Sequence, residues 1–168
     1  MTTHAIVMGV SGCGKSTVAM DLARELDWEL GEADAFHPQA NIDKMHAGNP
    51  LTDEDRWPWL RTLADWIRER DAAGISTVLA CSALKVAYRD ILRTGAPRVS
   101  FIHLAGPQAL VAERMLRREG HFMPPALLDS QYATLEPLGP DEAGTTLDLE
   151  HTPIELVAEA AVWLRSRS

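Results

Sequence analysis

The stretch "GVSGCGKS", Gly9 to Ser16, limits what this chain can fold into more than any other. It fits the pattern G-x-x-x-x-G-K-[ST] at every fixed position. Such a loop works only between a strand and a helix, and both neighbours are present. "HAIVMGV" before it is a short apolar run that reads as a buried strand. After it, Val18, Leu22 and Leu26 recur at helical spacing with Ala19 and Ala23 beside them. Gly9, Gly12 and Gly14 let the backbone curl so that its N–H groups point inward at phosphate oxygens. The helix that follows adds its positive end. Lys15 is expected to reach the β- and γ-phosphates, and the Ser16 hydroxyl to ligate Mg²⁺. Val10, Ser11, Cys13 and Thr17 complete the cradle. Cys13 lies where a helix N-terminus can depress a thiol pKa; the plainer reading is a small residue at a variable position.

The rest of the chain alternates strand-like and helix-like segments. "WELGE" is a weak second strand, and "LTDEDRWPWL" opens a helix capped by Thr52, with Asp53, Glu54 and Asp55 at its positive end. Leu60, Leu63, Ala64 and Ile67 form its core stripe until Gly74 stops it. "STVLACS" and "RVSFIHLAG" are further apolar strands. "TTLDLE" precedes a last helix from about Pro153, with Ile154, Val157, Ala158, Ala161 and Leu164 as the expected buried face. This order predicts a single α/β domain over residues 1–168, a parallel sheet covered on both faces, with ligands at the carboxyl ends of the strands.

Charge and cysteine usage narrow the function. The net charge of −8 argues against a nucleic-acid partner and requires a local cationic pocket for any anionic ligand. No apolar run approaches the roughly 18 residues of a membrane span, and Cys13 and Cys81 do not make a secreted disulfide framework, so a cytoplasmic protein with no membrane contact is expected. A guanine-reading N-K-x-D motif is missing, and the strand ending "VLACS" carries no carboxylate of the kind mechanical ATPases use. Asp34 is then the nearest group to help organise the metal.

Polar residues gather in three segments: "ADAFHPQANIDKMHAGNPLTDEDRWPWL", "CSALKVAYRDILR" and "RREGHFMP". Asp34 can accept or orient the proton of an attacking hydroxyl, or it can be a helix N-cap. His37 can bond a sugar hydroxyl, stiffened by Pro38, or it can be a structural histidine. Arg56, Lys85 and Arg89 suit a carboxylate, although Asp53 and Asp55 could simply pair with Arg56. Tyr88 reads as a packing residue. Arg114, Arg117 and Arg118 share a helix face that can clamp a nucleotide or, with Glu113 and Glu119, be merely solvated. His121 is a hinge or substrate-donor candidate.

Together with the phosphate loop, the segments D-x-x-H-P, N-x-x-K-M, P-L-x-D-x-D-R-x-P-W-L, C-S-A-L-K-x-x-Y-R-D and G-H-F make the chain resemble the bacterial-type gluconokinases from about residue 5 to residue 150. These are small P-loop kinases related to shikimate and adenylate kinases. The resemblance implies ATP- and Mg²⁺-dependent phosphorylation of the 6-hydroxyl of D-gluconate. It also implies a P-loop kinase fold, with a five-stranded parallel sheet flanked by helices, a mobile lid at about residues 114–135, and a homodimer. On this view Lys15, Asp34 and Arg118 are catalytic. ATP is held by Gly9 to Thr17 with Arg114 and Arg117, gluconate by Asp34, His37, Arg56, Lys85, Arg89 and His121, and Mg²⁺ by Ser16 and Asp34. Glu32 stands where many relatives have aspartate, and its role is open. Another acceptor (shikimate, a nucleoside monophosphate, a different sugar acid) and an ATP-sensing regulator are the competing readings.

Overall fold

The computed structural model describes residues 1–117 and 125–167. Five parallel strands form one sheet: β1 (His4–Met8), β2 (Glu29–Glu32), β3 (Thr77–Ala80), β4 (Val99–Ala105) and β5 (Gly144–Asp148), in the order β2-β3-β1-β4-β5. The register puts His4 level with Thr77 on one side and Val99 on the other. The three inner strands are buried almost throughout, which is why they read as continuous apolar runs rather than alternating ones. The edge strands β2 and β5 are more open, which explains their weak sequence signal.

One face of the sheet packs on α1 (Lys15–Leu26) and α7 (Pro153–Ser166), through Val18 and Leu22 of the first and Leu156, Ala160 and Leu164 of the second. The other packs on α3 (Asp53–Ala72) and α4 (Val86–Arg93), where Leu60, Leu63, Ile67 and Leu92 meet Ile6, Met8, Leu79 and Phe101. The start of α3 is fixed by a capping box: Thr52 accepts from the Asp55 N–H, and the Asp55 carboxylate accepts from the Thr52 N–H at 2.8 Å. Its end is Gly74 at φ 74°, a left-handed position that suits glycine.

Two expectations need correction. The buried stripe of α7 is Leu156, Ala160, Ala161 and Leu164, whereas Ile154 is 83% exposed; the stripe that faces the sheet starts one half-turn later than the apolar spacing suggested. A short helix α2 (Gln39–His46) also intervenes between β2 and α3, preceded by a 3-10 turn at Ala33–Phe36. Its polar composition, with Asn41 its one buried residue, hides it from a periodicity reading. Helices α5 (Gln108–Leu116) and α6 (Pro125–Thr134) complete the described chain.

Candidate active site

The phosphate loop leaves the carboxyl end of the central strand β1 and closes at α1. Gly12 sits at φ 82°, and a Cβ there would lie 2.6 Å from the Met115 side chain. Both facts call for glycine, so the conformation that bares the loop's N–H groups is built in. Gly14, at φ 92° and ψ 20°, is the N-cap of α1 and turns the chain from the loop into the helix. It has no side chain to cap with, so Gly14 contributes backbone alone to the cradle, and the first N–H groups of α1 receive no side-chain cap from it. The Lys15 ammonium donates to the Val10 carbonyl at 3.2 Å, folded back over the loop it belongs to. Across the loop, Gln131 of α6 makes a two-point contact with Ser11. Its Oε1 accepts from the Ser11 N–H at 2.6 Å, and its Nε2 donates to the Ser11 hydroxyl at 2.8 Å. The sequence carries no trace of this partner, which lies 120 positions away.

Glu32, at the end of β2, accepts a hydrogen bond from the Ser16 hydroxyl at 3.3 Å. The carboxylate left without a role thus touches the serine expected at the metal. Asp34, on the 3-10 turn just beyond, is exposed, and its carboxylate accepts no hydrogen bond among the described residues. It is therefore not serving as a side-chain cap. Cys81, at the end of β3, lies within electrostatic reach of both Lys15 and Asp34. Burial pushes its thiol up to about 12, with Lys15 working against that shift and Asp34 with it. The phosphate loop and Asp34 therefore flank one point at the strand ends.

His37 follows on the same turn. Its ring stacks on Trp59 with centroids 4.3 Å apart and 13° between planes, and its Nδ1 lies 3.2 Å from the Asn41 amide nitrogen. Burial lowers its pKa; Asp34 raises it and Arg56 lowers it further, so all three belong to one neighbourhood. Arg56 and Lys85 are brought together by Tyr88 and Asp53. The Tyr88 hydroxyl donates to Asp53 at 2.5 Å and accepts from Arg56 at 3.2 Å, while Lys85 donates to Asp53 at 3.1 Å. Both cations also lie over the Tyr88 ring, at 5.6 and 5.5 Å from its centroid. Tyr88 is buried as expected, yet its hydroxyl organises the cationic pair. Asp55 pairs with Lys44 at 2.6 Å rather than with Arg56.

Arg89 departs from the expectation. It is 0% exposed, and its guanidinium is bound to Glu142 at 2.8 and 3.1 Å and to the carbonyls of Ala83 at 2.7 Å and Glu136 at 2.9 Å. A fork so enclosed is not presented to a carboxylate in solution. It pins Ala83, which holds the left-handed φ of 47° in the loop leading to Lys85. The Y-R-D spacing fits either use; burial decides between them.

Of the arginine face, Arg114 is half-buried, and Arg117 is exposed and paired with Glu113 at 2.5 Å, the solvated arrangement. Arg118 and His121 lie outside the described residues.

The chain matches the AAA domain family over residues 5–138. It is 50% identical to the gluconokinase of Gluconobacter oxydans, covering 92% of this chain and 86% of that one. With the thermoresistant gluconokinase of Escherichia coli the identity is 40%, over 94% and 90%. Among solved structures, a gluconokinase from Sinorhizobium meliloti superposes with a TM-score of 0.87 at 44% identity, covering 98% of this chain and 92% of that one. Shikimate kinase from Aquifex aeolicus, at 14% identity and a TM-score of 0.62 over 98% of both chains, shares the fold alone. A phosphate loop on β1, an acidic turn after the edge strand, and these relatives over most of the chain agree: the protein belongs to the gluconokinases, a family of P-loop kinases.

Proposed function

We infer that the protein is a gluconokinase that transfers the terminal phosphoryl group of ATP to the 6-hydroxyl of D-gluconate, giving 6-phospho-D-gluconate and ADP. The observation that carries this reading is the common ground of Lys15 and Asp34 around Cys81, with Ser16 bonded to Glu32 beside them. A phosphate cradle after β1 and an uncommitted carboxylate after β2 then stand at the same edge of the sheet on either side of the end of β3, a placement that suits in-line transfer.

The chain's own groups divide the work. Within the segment Gly9 to Thr17, backbone N–H groups such as those of Gly12 and Gly14, together with the Lys15 ammonium, hold the phosphates and balance their charge, while the N–H groups of Gly9 and Ser11 donate to Ser82 and Gln131 and fix the loop's shape. Asp34 orients the attacking hydroxyl and takes up its proton. His37 holds a hydroxyl of the sugar acid, and Arg56 and Lys85 attract its carboxylate, in competition with Asp53. Arg114 and Arg117 remain candidates for a clamp on the nucleotide, with Arg118 and His121 assigned from the sequence.

Mg²⁺ fits the donors present, which are the Ser16 hydroxyl and the carboxylates of Glu32 and Asp34, all oxygen. Among the described residues no cluster of three His, Cys, Asp or Glu could hold a metal, so the ion would draw its other ligands from phosphate and water. The chemistry it would supply there is neutralisation of the negative charge on the transferring phosphates. Glu32, by accepting the hydrogen bond from the Ser16 hydroxyl, would leave that oxygen's lone pairs available to the ion.

A cytoplasmic location and a homodimer belong to the same proposal. Among the described residues no helix is long and apolar enough to cross a membrane. Ile154 and Val162 project from α7 at 83% and 66% exposure, an apolar pair a second copy could cover. Light scattering on purified protein reads the oligomer.

The activity is tested by coupling ADP release to an optical assay with Mg-ATP and a panel of acceptors. D-gluconate should be phosphorylated far faster than shikimate, nucleoside monophosphates or other sugar acids. A rate on D-gluconate no higher than the ATPase background would reject the assignment.

A further inference from the structure

Histidine as a hydrogen-bonding group has two neutral forms, and a site uses them for opposite purposes: one nitrogen donates while the other accepts. At His37 the surroundings settle which is which. The ring rests on Trp59, whose own indole N–H donates to the Ala33 carbonyl at 2.8 Å, so the platform is anchored in the same turn. Its edge meets Asn41, which is only 4% exposed. The Asn41 amide nitrogen donates to the Asp55 carbonyl at 2.9 Å and lies 3.2 Å from His37 Nδ1. A backbone carbonyl can only accept, so the amide atom facing Asp55 has to be the nitrogen. The second hydrogen on that same nitrogen is then the one directed at His37. Nδ1 must be bare to receive it. Burial disfavours the charged ring, which leaves a neutral imidazole with its single proton on Nε2. That nitrogen has no hydrogen-bond partner among the described residues.

We propose that Asn41 fixes His37 as the Nε2–H tautomer, making it an obligate donor to an oxygen of the sugar acid and barring it from taking a proton there. The proposal rests on the reading of His37 as a substrate contact and gives that contact a direction. Every hydroxyl of a polyol offers one hydrogen and two lone pairs. With His37 restricted to donating, it binds a lone pair, and accepting the hydrogen of the reacting hydroxyl falls to Asp34 alone on this turn. Asn41 touches no reacting atom in this scheme; it is a positioning residue, locked by the capped start of α3.

Long-range ¹⁵N–¹H correlation spectra of protein labelled in its histidines read the tautomer without any turnover. His37→Gln identifies the His37 signals by their loss. The expected spectrum near pH 7.5 has an unprotonated Nδ1 and a protonated Nε2 for His37. Asn41→Asp, which replaces the donor with an acceptor, should move the proton onto Nδ1 or charge the ring. A wild-type spectrum with the proton on Nδ1, or one that Asn41→Asp leaves unchanged in the folded protein, overturns the proposal. Should Asn41→Asp fail to fold, the wild-type spectrum still decides. Kinetics test the contact separately: His37→Gln keeps a donor at similar reach and His37→Met has none. The KM for gluconate should be about tenfold lower in the first, the worth of one hydrogen bond, with the KM for ATP alike in both. Equal gluconate KM values alongside the expected spectrum would overturn the substrate contact while leaving the tautomer intact.

Discussion

A guanidinium with no exposed surface has given up its hydration, and only a full set of acceptors makes that tolerable. Arg89 has one, in Glu142 and the carbonyls around it, and Glu142 shows the mutual effect. Burial opposes its ionisation, but the hydrogen bonds from Arg89, the Gly139 N–H and Arg93 outweigh it and hold the carboxyl down to about 2. Removing Arg89 leaves that buried charge only Arg93 and the Gly139 N–H, and takes the donor away from the buried carbonyls of Ala83 and Glu136. Arg89→Ala should therefore lose about 3–5 kcal/mol in urea unfolding, as broken buried pairs do. A selective rise in the KM for gluconate with unchanged stability would restore the substrate role that the sequence suggested. Lys15 carries the same charge to the opposite end. Among the described residues its one hydrogen bond is to a carbonyl of its own loop, and Lys15→Ala should keep the melting temperature while kcat falls by on the order of a hundredfold or more. Both residues were conspicuous in the sequence as cations in motifs. Telling them apart needs burial, which depends on segments 47 to 53 positions away and has no local signature.

Between elements, the contact that matters most is the one from α6 to the phosphate loop. Gln131 satisfies the Ser11 N–H and hydroxyl together, and Tyr132 beside it donates to the Gly106 carbonyl at 2.9 Å, so two successive residues tie the helix to the ends of β1 and β4. Gln131→Leu removes both bonds to Ser11 at nearly constant volume. The KM for ATP should rise several-fold, with the KM for gluconate changing less, since two neutral hydrogen bonds are worth about 1–3 kcal/mol together. Equal changes in the two constants would mean that the latch does not act through the loop. The elements were legible in proportion to their apolar pattern. The helices α1 and α3 and the inner strands β1, β3 and β4 stand out because burial repeats along them with a fixed period. The polar α2 did not, and the face of α7 was misjudged because Ile154 lies in its first turn, outside the packed stripe.

At the scale of the molecule, acid should weaken the fold in two stages. His103 on β4 is buried with no hydrogen-bond partner for its Nδ1 among the described residues, and burial, reinforced by Arg89, lowers its pKa from 6.5 to about 4. The unfolded chain takes up this proton first, so stability that is complete above pH 6.5 declines as pH falls toward about 4. The free energy lost over that interval is about 3 kcal/mol. Glu142 adds a second loss as pH falls from 4.5 toward about 2. In melting curves, His103→Leu should flatten the first stage and leave the second; an unaltered profile between pH 6.5 and 4 would assign the acid sensitivity elsewhere. The strand order has a wider consequence. The nucleotide loop springs from β1 at the centre of the sheet, whereas Glu32, Asp34 and His37 hang from β2 at its margin. A margin has one neighbour and few obligations, so the stretch from β2 to α3 can be rewritten for a new acceptor while the middle of the sheet stays as it is. Chains with this architecture can thus diversify what they phosphorylate by editing a border, and transplanting residues 29–56 between relatives is the natural way to exchange their acceptors.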